Sequence, residues 1–403
     1  MTFRSSRLGW ALAAGLLVAA CQERLTAPGE CPATCPGGTP VVRDTVLDAE
    51  FDTTYVGYLI PGATGAGFLV SNGMIGGVTD YGVVRFLPRA DSILAADTFR
   101  TYTIDSVALE FTLLARDTLA SGLRLEFHRL PAATDSGVAY GDVVTPVNDD
   151  ATLVDSATVP DSARRGYVVR FVFSDSAALA RVALAPGDSG VLALGVALVG
   201  GPASGVRING TSGGANPKFI TYVTADVADT TAQAQVITRG PAFTTYVSSS
   251  PAIPDQAVLT VGGGAVARAF IRFPWPAYLR DTALLARATL ELTPADTIRG
   301  LPGDSAFVTV RGIQADFGPK SPASSIGGTK YLAIGSLDTL RIDVIAEVQA
   351  WQRNTLPDPP VLLASLTPEG ASFTVPTFLS TRSGAGRPRL HVTYQIPFDF
   401  ERP

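Results

Sequence analysis

The sequence predicts an all-β protein with two tandem antiparallel β-sandwich domains of the jelly-roll kind, each with at most a short helix. Short runs of Val, Ile, Leu, Phe, Tyr and Thr alternate with polar residues along most of the chain, which is the pattern of half-buried strands. The 403 residues include 40 Gly and 29 Pro, which indicates many turns. Matching segments also recur in the same order in both halves.

Composition excludes several classes of function. Only 17% of residues are charged and the formal net charge is −5, so the chain lacks the basic surface that a phosphate-tracking nucleic-acid binder needs. Two histidines and three clustered cysteines are too few for the usual zinc or iron sites. We therefore predict no metal, no cofactor and no nucleic-acid partner.

Residues 1–20 have the pattern of an export signal. Two arginines precede an apolar run over 8–20, which is shorter than the roughly 20 residues needed to span a bilayer. The run ends in Val18-Ala19-Ala20-Cys21, which resembles the lipobox of bacterial lipoproteins. The resemblance implies cleavage before Cys21 and a lipid on its thiol, and Gln22 then favours the outer membrane. The alternative is an ordinary signal peptide with an accidental cysteine.

Residues 21–45 are predicted to form a tether that is rich in Pro and Gly and has no periodicity. Cys31 and Cys35 lie four positions apart, and disulfides persist outside the cytoplasm. A local Cys31–Cys35 disulfide is the favoured interpretation, and bridges between molecules are the alternative.

Four segments of the first half recur in the second half. The first is Thr53-Thr54-Tyr55-Val56, which recurs as Thr244-Thr245-Tyr246-Val247. The other three pairs are 84–88 with 271–274, 107–112 with 288–293, and 217–222 with 388–394. Because all four follow the same order, they predict two copies of one domain, at 46–230 and 238–398, each large enough for its own core.

The second copy resembles the DNRLRE domain, a bacterial extracellular β-sandwich related to the alginate-type carbohydrate-binding modules. The resemblance rests on segments 268–273, 288–292, 342–344, 348–351, 378–382 and 387–390. It implies a carbohydrate-binding class, although the literal string that names the family does not occur here. The first copy is more divergent, because its short helical stretch at 174–184 has no tryptophan.

One short helix is predicted inside the second copy, over 343–352. Asp343 can cap its first turn, and Val344, Val348 and Trp351 fall on one face at helical spacing. That face would plug one end of the sandwich with core side chains. Stacking of Trp351 on a sugar is the functional alternative.

No catalytic residue is predicted. His128 and His391 alternate with core residues along their strands, so we expect both on the solvated face and not in a Ser-His-Asp arrangement. Most Asp residues precede Thr or Ser, as in Asp117-Thr118 and Asp304-Ser305, which is typical of turns. A glycan-degrading enzyme with unrecognised carboxylates is the weaker alternative.

Two loops are candidate ion sites. Asn148, Asp149, Asp150 and Asp155 offer the oxygen ligands that Ca²⁺ prefers, but their spacing matches no EF-hand, so a solvated loop is favoured. The glycine triplet at 262–264 has no following Lys and no helix start, which indicates a turn and not a phosphate loop.

Trp275 and Tyr278 are the candidate ligand-binding residues. Prolines on both sides of Trp275 stiffen the backbone, and rigid exposed aromatics suit flat ligands such as sugars. A packed loop tryptophan is the alternative to this hypothesis.

Together these patterns predict a non-catalytic, lipid-anchored protein of the outer membrane or cell surface that acts in adhesion or polysaccharide binding. Its expected partners are the membrane, through the lipid on Cys21, and a polysaccharide or another surface protein. The alternative is a structural spacer or subunit of an envelope assembly without a small ligand.

Overall fold

The predicted all-β class is confirmed by a computed structural model of the chain, with 50% strand, 12% helix and antiparallel sheets. The structure describes residues 41–56, 67–75, 77–182, 190–212, 214–225, 232–249, 255–264, 266–301, 306–367, 369–370 and 372–396.

The strands are numbered in chain order. Those of the first half are β1 (Val41–Asp48), β2 (Phe51–Tyr55), β3 (Phe68–Ile75), β4 (Val78–Phe86), β5 (Ile93–Ala95), β6 (Thr98–Arg100), β7 (Thr103–Arg116), β8 (Arg124–Leu130), β9 (Leu153–Thr158), β10 (Val168–Phe173), β11 (Ala193–Val199), β12 (Gly205–Ile208) and β13 (Lys218–Ala225). Those of the second half are β14 (Gln233–Arg239), β15 (Pro241–Ser248), β16 (Val258–Thr260), β17 (Arg268–Arg272), β18 (Leu284–Leu292), β19 (Ala306–Gly312), β20 (Gly328–Leu332), β21 (Leu340–Asp343), β22 (Val361–Thr367), β23 (Thr377–Leu379) and β24 (Arg389–Ile396).

Two sandwiches result, with matching strand orders. In the N-terminal sandwich, β14-β13-β7-β10 faces β15-β4-β11-β8-β9, and β12 and β3 join the two sheets. In the C-terminal sandwich, β1-β24-β18-β21 faces β2-β17-β22-β19-β20, and β16 pairs with β23. Apart from the β5–β6 hairpin of the N-terminal sandwich, each strand of one sandwich therefore has a counterpart in the other.

Each sandwich encloses its own core of alternating apolar side chains. The N-terminal core contains a row of phenylalanines, in which Phe111 and Phe127 have ring centroids 4.5 Å apart and Phe127 lies 4.9 Å from Phe171. The C-terminal core is centred on Phe273, Leu290 and other fully buried residues. Side chains that alternate along antiparallel strands supply both cores.

The two sandwiches exchange strands. The N-terminal arm, defined as residues 41–55, adds β1 to β24 and β2 to β17, so it completes both sheets of the C-terminal sandwich. The central arm, defined as residues 233–248, adds β14 to β13 and β15 to β4 of the N-terminal sandwich. Leu47 and Ala49 of the N-terminal arm are buried in the C-terminal core.

This pairing corrects the predicted division of the chain. The predicted boundaries assigned 41–45 to the tether, 46–55 to the first copy and β15 to the second copy. Hydrogen bonding instead places all of 41–55 in the C-terminal sandwich and β15 in the N-terminal sandwich. The reason is physical, since alternation reports which face of a strand is buried but not which sheet edge the strand joins.

A buried carboxylate lies at each place where an arm pairs with the other sandwich. Asp52 of β2 is fully buried and accepts a hydrogen bond from the Thr381 amide at 2.6 Å. Asp80 of β4 accepts from Ser248 of β15 at 2.5 Å and from Ser71 at 2.6 Å. Burial raises the pKa of both Asp52 and Asp80 above the ordinary carboxyl value.

Short helices cover the open parts of the sandwiches. They are α1 (Tyr140–Val147), α2 (Ser176–Val182), α3 (Ala277–Asp281) and α4 (Ile345–Gln352). Helix α4 is the predicted one, and Val344, Val348 and Trp351 are buried in the core as expected. Asp343 accepts a hydrogen bond from the Ile345 amide at 3.0 Å and so caps the first turn.

Candidate functional site

A pocket of about 300 Å³ lies at the end of the C-terminal sandwich, between α3, α4 and the segment that leads into β22. It is lined by Trp275, Arg280, Asp281, Trp351, Asn354, Leu356, Pro357, Asp358 and Pro360. Its position follows from the strand order, because β17 ends at Arg272 where β22 begins at Val361.

Two tryptophans form the apolar wall of this pocket. Trp275 is half-buried and meets Trp351 edge-to-face, with ring centroids 6.0 Å apart and planes at 65°. Trp351 is only 4% exposed. The Gln352 side-chain amide donates to the carbonyls of Leu279 and Ala283, at 2.8 and 2.7 Å. These bonds join α4 to α3, so the wall is held from both sides.

Tyr278 does not line the pocket with Trp275. Its ring packs on Tyr394, with centroids 5.5 Å apart, and its hydroxyl lies 3.3 Å from Thr45 Oγ1 on the N-terminal arm. The side chain is 40% exposed. The structure therefore separates the two predicted ligand contacts, which point to different neighbours.

The rim of the pocket is charged. Arg280 donates to Asp281 through Nε at 2.9 Å and Nη2 at 3.4 Å. Hydrogen bonding to Asp281 raises the pKa of Arg280, and the charges of Asp281 and Asp358 act in the same direction. Asn354 adds an exposed amide beside them. The arrangement suits stacking of a ring on Trp275 and hydrogen bonding of its hydroxyls at the rim.

A larger pocket of about 550 Å³ lies in the N-terminal sandwich, where no sequence pattern indicated a site. Its lining residues are Arg129, Leu130, Pro131, Pro146, Ala151, Thr152, Leu153, Ala180 and Arg181. Helix α1 forms part of its wall, and this eight-residue helix contains Pro146. Gly141 and Pro146 within this helix are typical turn residues, so its sequence does not have a helical pattern.

The prediction that His128 lies on the solvated face is wrong. Its side chain is 2% exposed, with Nδ1 3.1 Å from Thr152 Oγ1 and Nε2 3.6 Å from Glu126. The reason is helix α1, whose Val143 and Val147 pack on Leu130 and cover this outer face of the sheet. His391 does lie outward as predicted, and its side chain is 42% exposed.

The group formed by Thr152, His128 and Glu126 resembles a catalytic triad in composition but not in hydrogen bonding. A nucleophilic hydroxyl must give its proton to the histidine nitrogen. Thr152 Oγ1 instead lies 2.6 Å from the Pro146 carbonyl and 2.8 Å from the Asp149 carbonyl, and its one proton goes to a carbonyl. The group therefore fastens the turn after α1.

The acidic loop also forms local structure. The Asp149 side chain accepts from the Ala151 amide at 2.9 Å, and Asp155 accepts from the Ser156 amide at 2.8 Å. Among the described residues, no three His, Cys, Asp or Glu side chains lie close enough together to hold a metal ion. Gly262 and Gly263 have positive φ angles of 76° and 71°, as the predicted turn requires.

The predicted export signal, the lipid site Cys21 and the Cys31–Cys35 disulfide lie outside the described residues. Within the part of the chain that the structure describes, no helix has the length and apolar character needed to cross a bilayer.

The fold defines the chain as an all-β antiparallel sandwich protein. No family model matches it, and no curated protein matches it. It has weak similarity to the D431N mutant VP2 protein of infectious bursal disease virus, with 14% identity, a TM-score of 0.14, and coverage of 91% of this chain and 77% of that one. A structure of the Gx strain of that virus has 12% identity, a TM-score of 0.12, and coverage of 92% and 81%. Scores this low say nothing further about the chain.

Proposed function

We propose that this protein is a non-catalytic, lipid-anchored surface protein that binds polysaccharide through the pocket at Trp275. The observation that carries the proposal is the combination of a tryptophan wall with a polar rim in one concave site. Sugars offer an apolar ring face and many hydroxyls, and these two features need an indole surface and hydrogen-bonding side chains.

The volume of about 300 Å³ lies at the lower end of the range for small-ligand pockets. It suits one sugar ring and not a long stretch of chain. The resemblance of the second copy to DNRLRE domains supports the same binding class. The binding contact is assigned to Trp275, and Tyr278, which is exposed but does not line the pocket, is proposed as a contact for a part of the ligand outside it.

Binding of immobilised polysaccharides to the chain without residues 1–20 tests this function. Trp275→Ala is expected to weaken binding about tenfold, since stacking of a ligand ring on an aromatic side chain contributes on the order of 1–3 kcal/mol for nucleic-acid bases and we expect the same order for a sugar ring. Tyr278→Ala is expected to have a smaller effect. Tyr331→Ala, at an exposed tyrosine on β20, is the matched control and should bind as the wild type does.

Because Trp275 packs against the core, its loss can also disturb the fold. Asn354→Ala changes an exposed rim residue and provides a second test, and thermal unfolding checks that both variants are folded. Unchanged binding by folded Trp275→Ala and Asn354→Ala variants would exclude the pocket as the binding site.

The proposed anchor is a lipid on Cys21, which places the protein at the outer membrane or cell surface with the tether between membrane and sandwiches. Stable attachment requires more than one acyl chain. Labelling with radioactive palmitate is expected in the wild type and absent in Cys21→Ser. Unchanged processing and labelling of Cys21→Ser would contradict the lipoprotein assignment.

A structural spacer is the second candidate function, and the strand exchange favours it. Each sandwich holds an arm from the other half of the chain, which suits a stiff two-body spacer. A folded wild-type chain that binds no polysaccharide would favour this role.

A further inference from the structure

The charges that line the pocket at Trp275 are unbalanced. One guanidinium, Arg280, lies with two carboxylates, Asp281 and Asp358, so the lining has a formal charge of −1. Arg280 uses both Nε and Nη2 on Asp281. An acidic ligand could reach only the remaining N–H groups of a guanidinium whose charge is already balanced by Asp281.

We propose that this pocket selects a non-acidic sugar residue, either neutral or carrying an ammonium group, and rejects a uronate. The inference rests on the proposed function and names the sugar class of the same site. A hexose hydroxyl or an ammonium donates hydrogen bonds, and Asp358 accepts them. A uronate carboxylate only accepts hydrogen bonds when ionised, and it would face Asp281 and Asp358 as a like charge.

The charge of the whole chain acts in the same direction. The formal net charge is −5, and removal of residues 1–20 would delete two arginines and no acid, which makes it −7. A protein of this charge repels a polyanion at long range. The pocket therefore opposes the acidic ligand that the alginate-type resemblance would suggest, although it keeps the sugar-binding class.

The test compares oligosaccharides that differ only in charge, on the chain without residues 1–20. The probes are gluco-, manno- and galacto-configured oligomers, each in the neutral and the uronate form, together with glucosamine oligomers. For the configuration that binds best, we expect the uronate form to bind at least about tenfold more weakly than the neutral form. That ratio corresponds to about 1.4 kcal/mol.

Two variants separate the pocket from the overall charge. Asp358→Asn removes a carboxylate of the rim. It is expected to lower the ratio of neutral to uronate affinity severalfold and to weaken the binding of glucosamine oligomers. Asp91→Asn makes the same charge change at an exposed position of the N-terminal sandwich and is expected to leave the ratio unchanged. The effect of Asp358→Asn on this affinity ratio should become smaller in about 1 M salt, where the Debye length falls to about 3 Å.

The outcomes distinguish the two proposals. If a uronate oligomer bound as well as its neutral counterpart or better, and Trp275→Ala abolished that binding, the charge selection would be wrong but the binding function would be supported. An equal effect of Asp358→Asn and Asp91→Asn would also overturn the selection, because the whole-chain charge would then be its cause. Failure of every oligomer, neutral and charged, to bind a folded chain would overturn the binding function and the selection together.

Discussion

The two sandwiches have the same strand order, yet their ends are different. After β17, the C-terminal sandwich continues through Phe273 and Trp275 into α3, and this connection supplies one wall of the pocket. After the equivalent strand β4, the N-terminal sandwich forms the β5–β6 hairpin, which packs on Val223 and Ala225. Its larger pocket lies instead beside β8 and β9.

This difference shows which parts of the chain carry the fold and which carry the site. The inward-facing residues are equivalent in both copies, as Phe86 and Phe273 are at the ends of β4 and β17, and both are fully buried. The connections are not equivalent, and binding residues are often found on connections that a rigid scaffold positions. We therefore expect the two copies to be alike in folding and different in binding.

Cutting the chain gives the largest expected effect. Fragments 46–230 and 238–398 follow the apparent repeat, and each lacks strands that complete its sheets. Fragment 67–249 retains the central arm. A permuted fragment, 255–396 joined by a short turn to 41–56, restores the N-terminal arm, because Val41 lies opposite Ile396 as the ends of a hairpin do.

We expect the first two fragments to remain unfolded, and the second two to give β-type circular dichroism and cooperative melting. Loss of an arm exposes sheet edges and core side chains, and a domain has only about 5–15 kcal/mol of stability to lose. Cooperative folding of 46–230 by itself would show that the exchange is not required.

Much of this fold could be predicted from the sequence, because alternation identifies strands and their buried faces. The segments 107–112 and 288–293 were matched correctly, since Leu109 and Leu290 face Phe219 and Leu390 on equivalent neighbouring strands. The strand exchange could not be predicted, because both sandwiches have sheet edges of the same kind with which either arm could pair. Pairing between distant segments is a tertiary property.

The first matched segment shows the limit of matching by residue type. Thr53 lies opposite Phe270, whereas Thr245 and not Thr244 lies opposite Val83, the equivalent of Phe270. A shift of one residue reverses the face of every side chain in a strand. Tyr55 accordingly packs on Phe270 at the outside of its sheet, while Tyr246 is buried in the N-terminal core.

The site was predicted only in part, for a similar reason. Two prolines and a tryptophan singled out Trp275, which lines the pocket. Asn354 and Asp358 lie about eighty residues later in the chain and have no local pattern that links them to it. The prediction for His128 is wrong because the covering helix α1 contains Gly141 and Pro146, which are typical of turns and hide its helical character.

Substitution of the buried carboxylates Asp52 and Asp80 is expected to change stability less than cutting the chain does. Burial raises the pKa of Asp80 above its ordinary value of 3.8, so between these two pKa values the folded chain binds more protons than the unfolded chain. The free energy of unfolding of the wild type therefore falls as pH rises through this window, and this contribution is constant above it.

Asp80→Asn does not titrate, so we expect it to remove this dependence. The variant is expected to lose about 1–3 kcal/mol through weaker bonding to Ser71 and Ser248, and the loss should be smaller at neutral pH than near pH 4. Asp52→Asn should show the same sign, because burial raises that pKa also. Urea unfolding between about pH 4 and neutral pH measures the stability of both variants, with Asp91→Asn as the exposed control. A pH-independent difference for Asp80→Asn would contradict the prediction.

The outer faces of the sandwiches provide the smallest effect and the closest comparison. Glu110 lies 3.6 Å from both Arg170 and Lys218, and its counterpart Glu291 lies 3.0 Å from Arg341 and 3.6 Å from His391. Exposed ion pairs contribute about 0.2–1 kcal/mol each and are screened by salt.

We expect Glu110→Gln and Glu291→Gln each to lower the free energy of unfolding by less than about 1 kcal/mol. The losses should shrink further at high salt, because Arg170, Lys218 and Arg341 are all partly exposed. Urea unfolding at low and high salt measures them. A much larger loss in one variant would mean that equivalent positions on the two sheets contribute differently to stability. The two copies would then share their strand order but not the energetics of their outer faces.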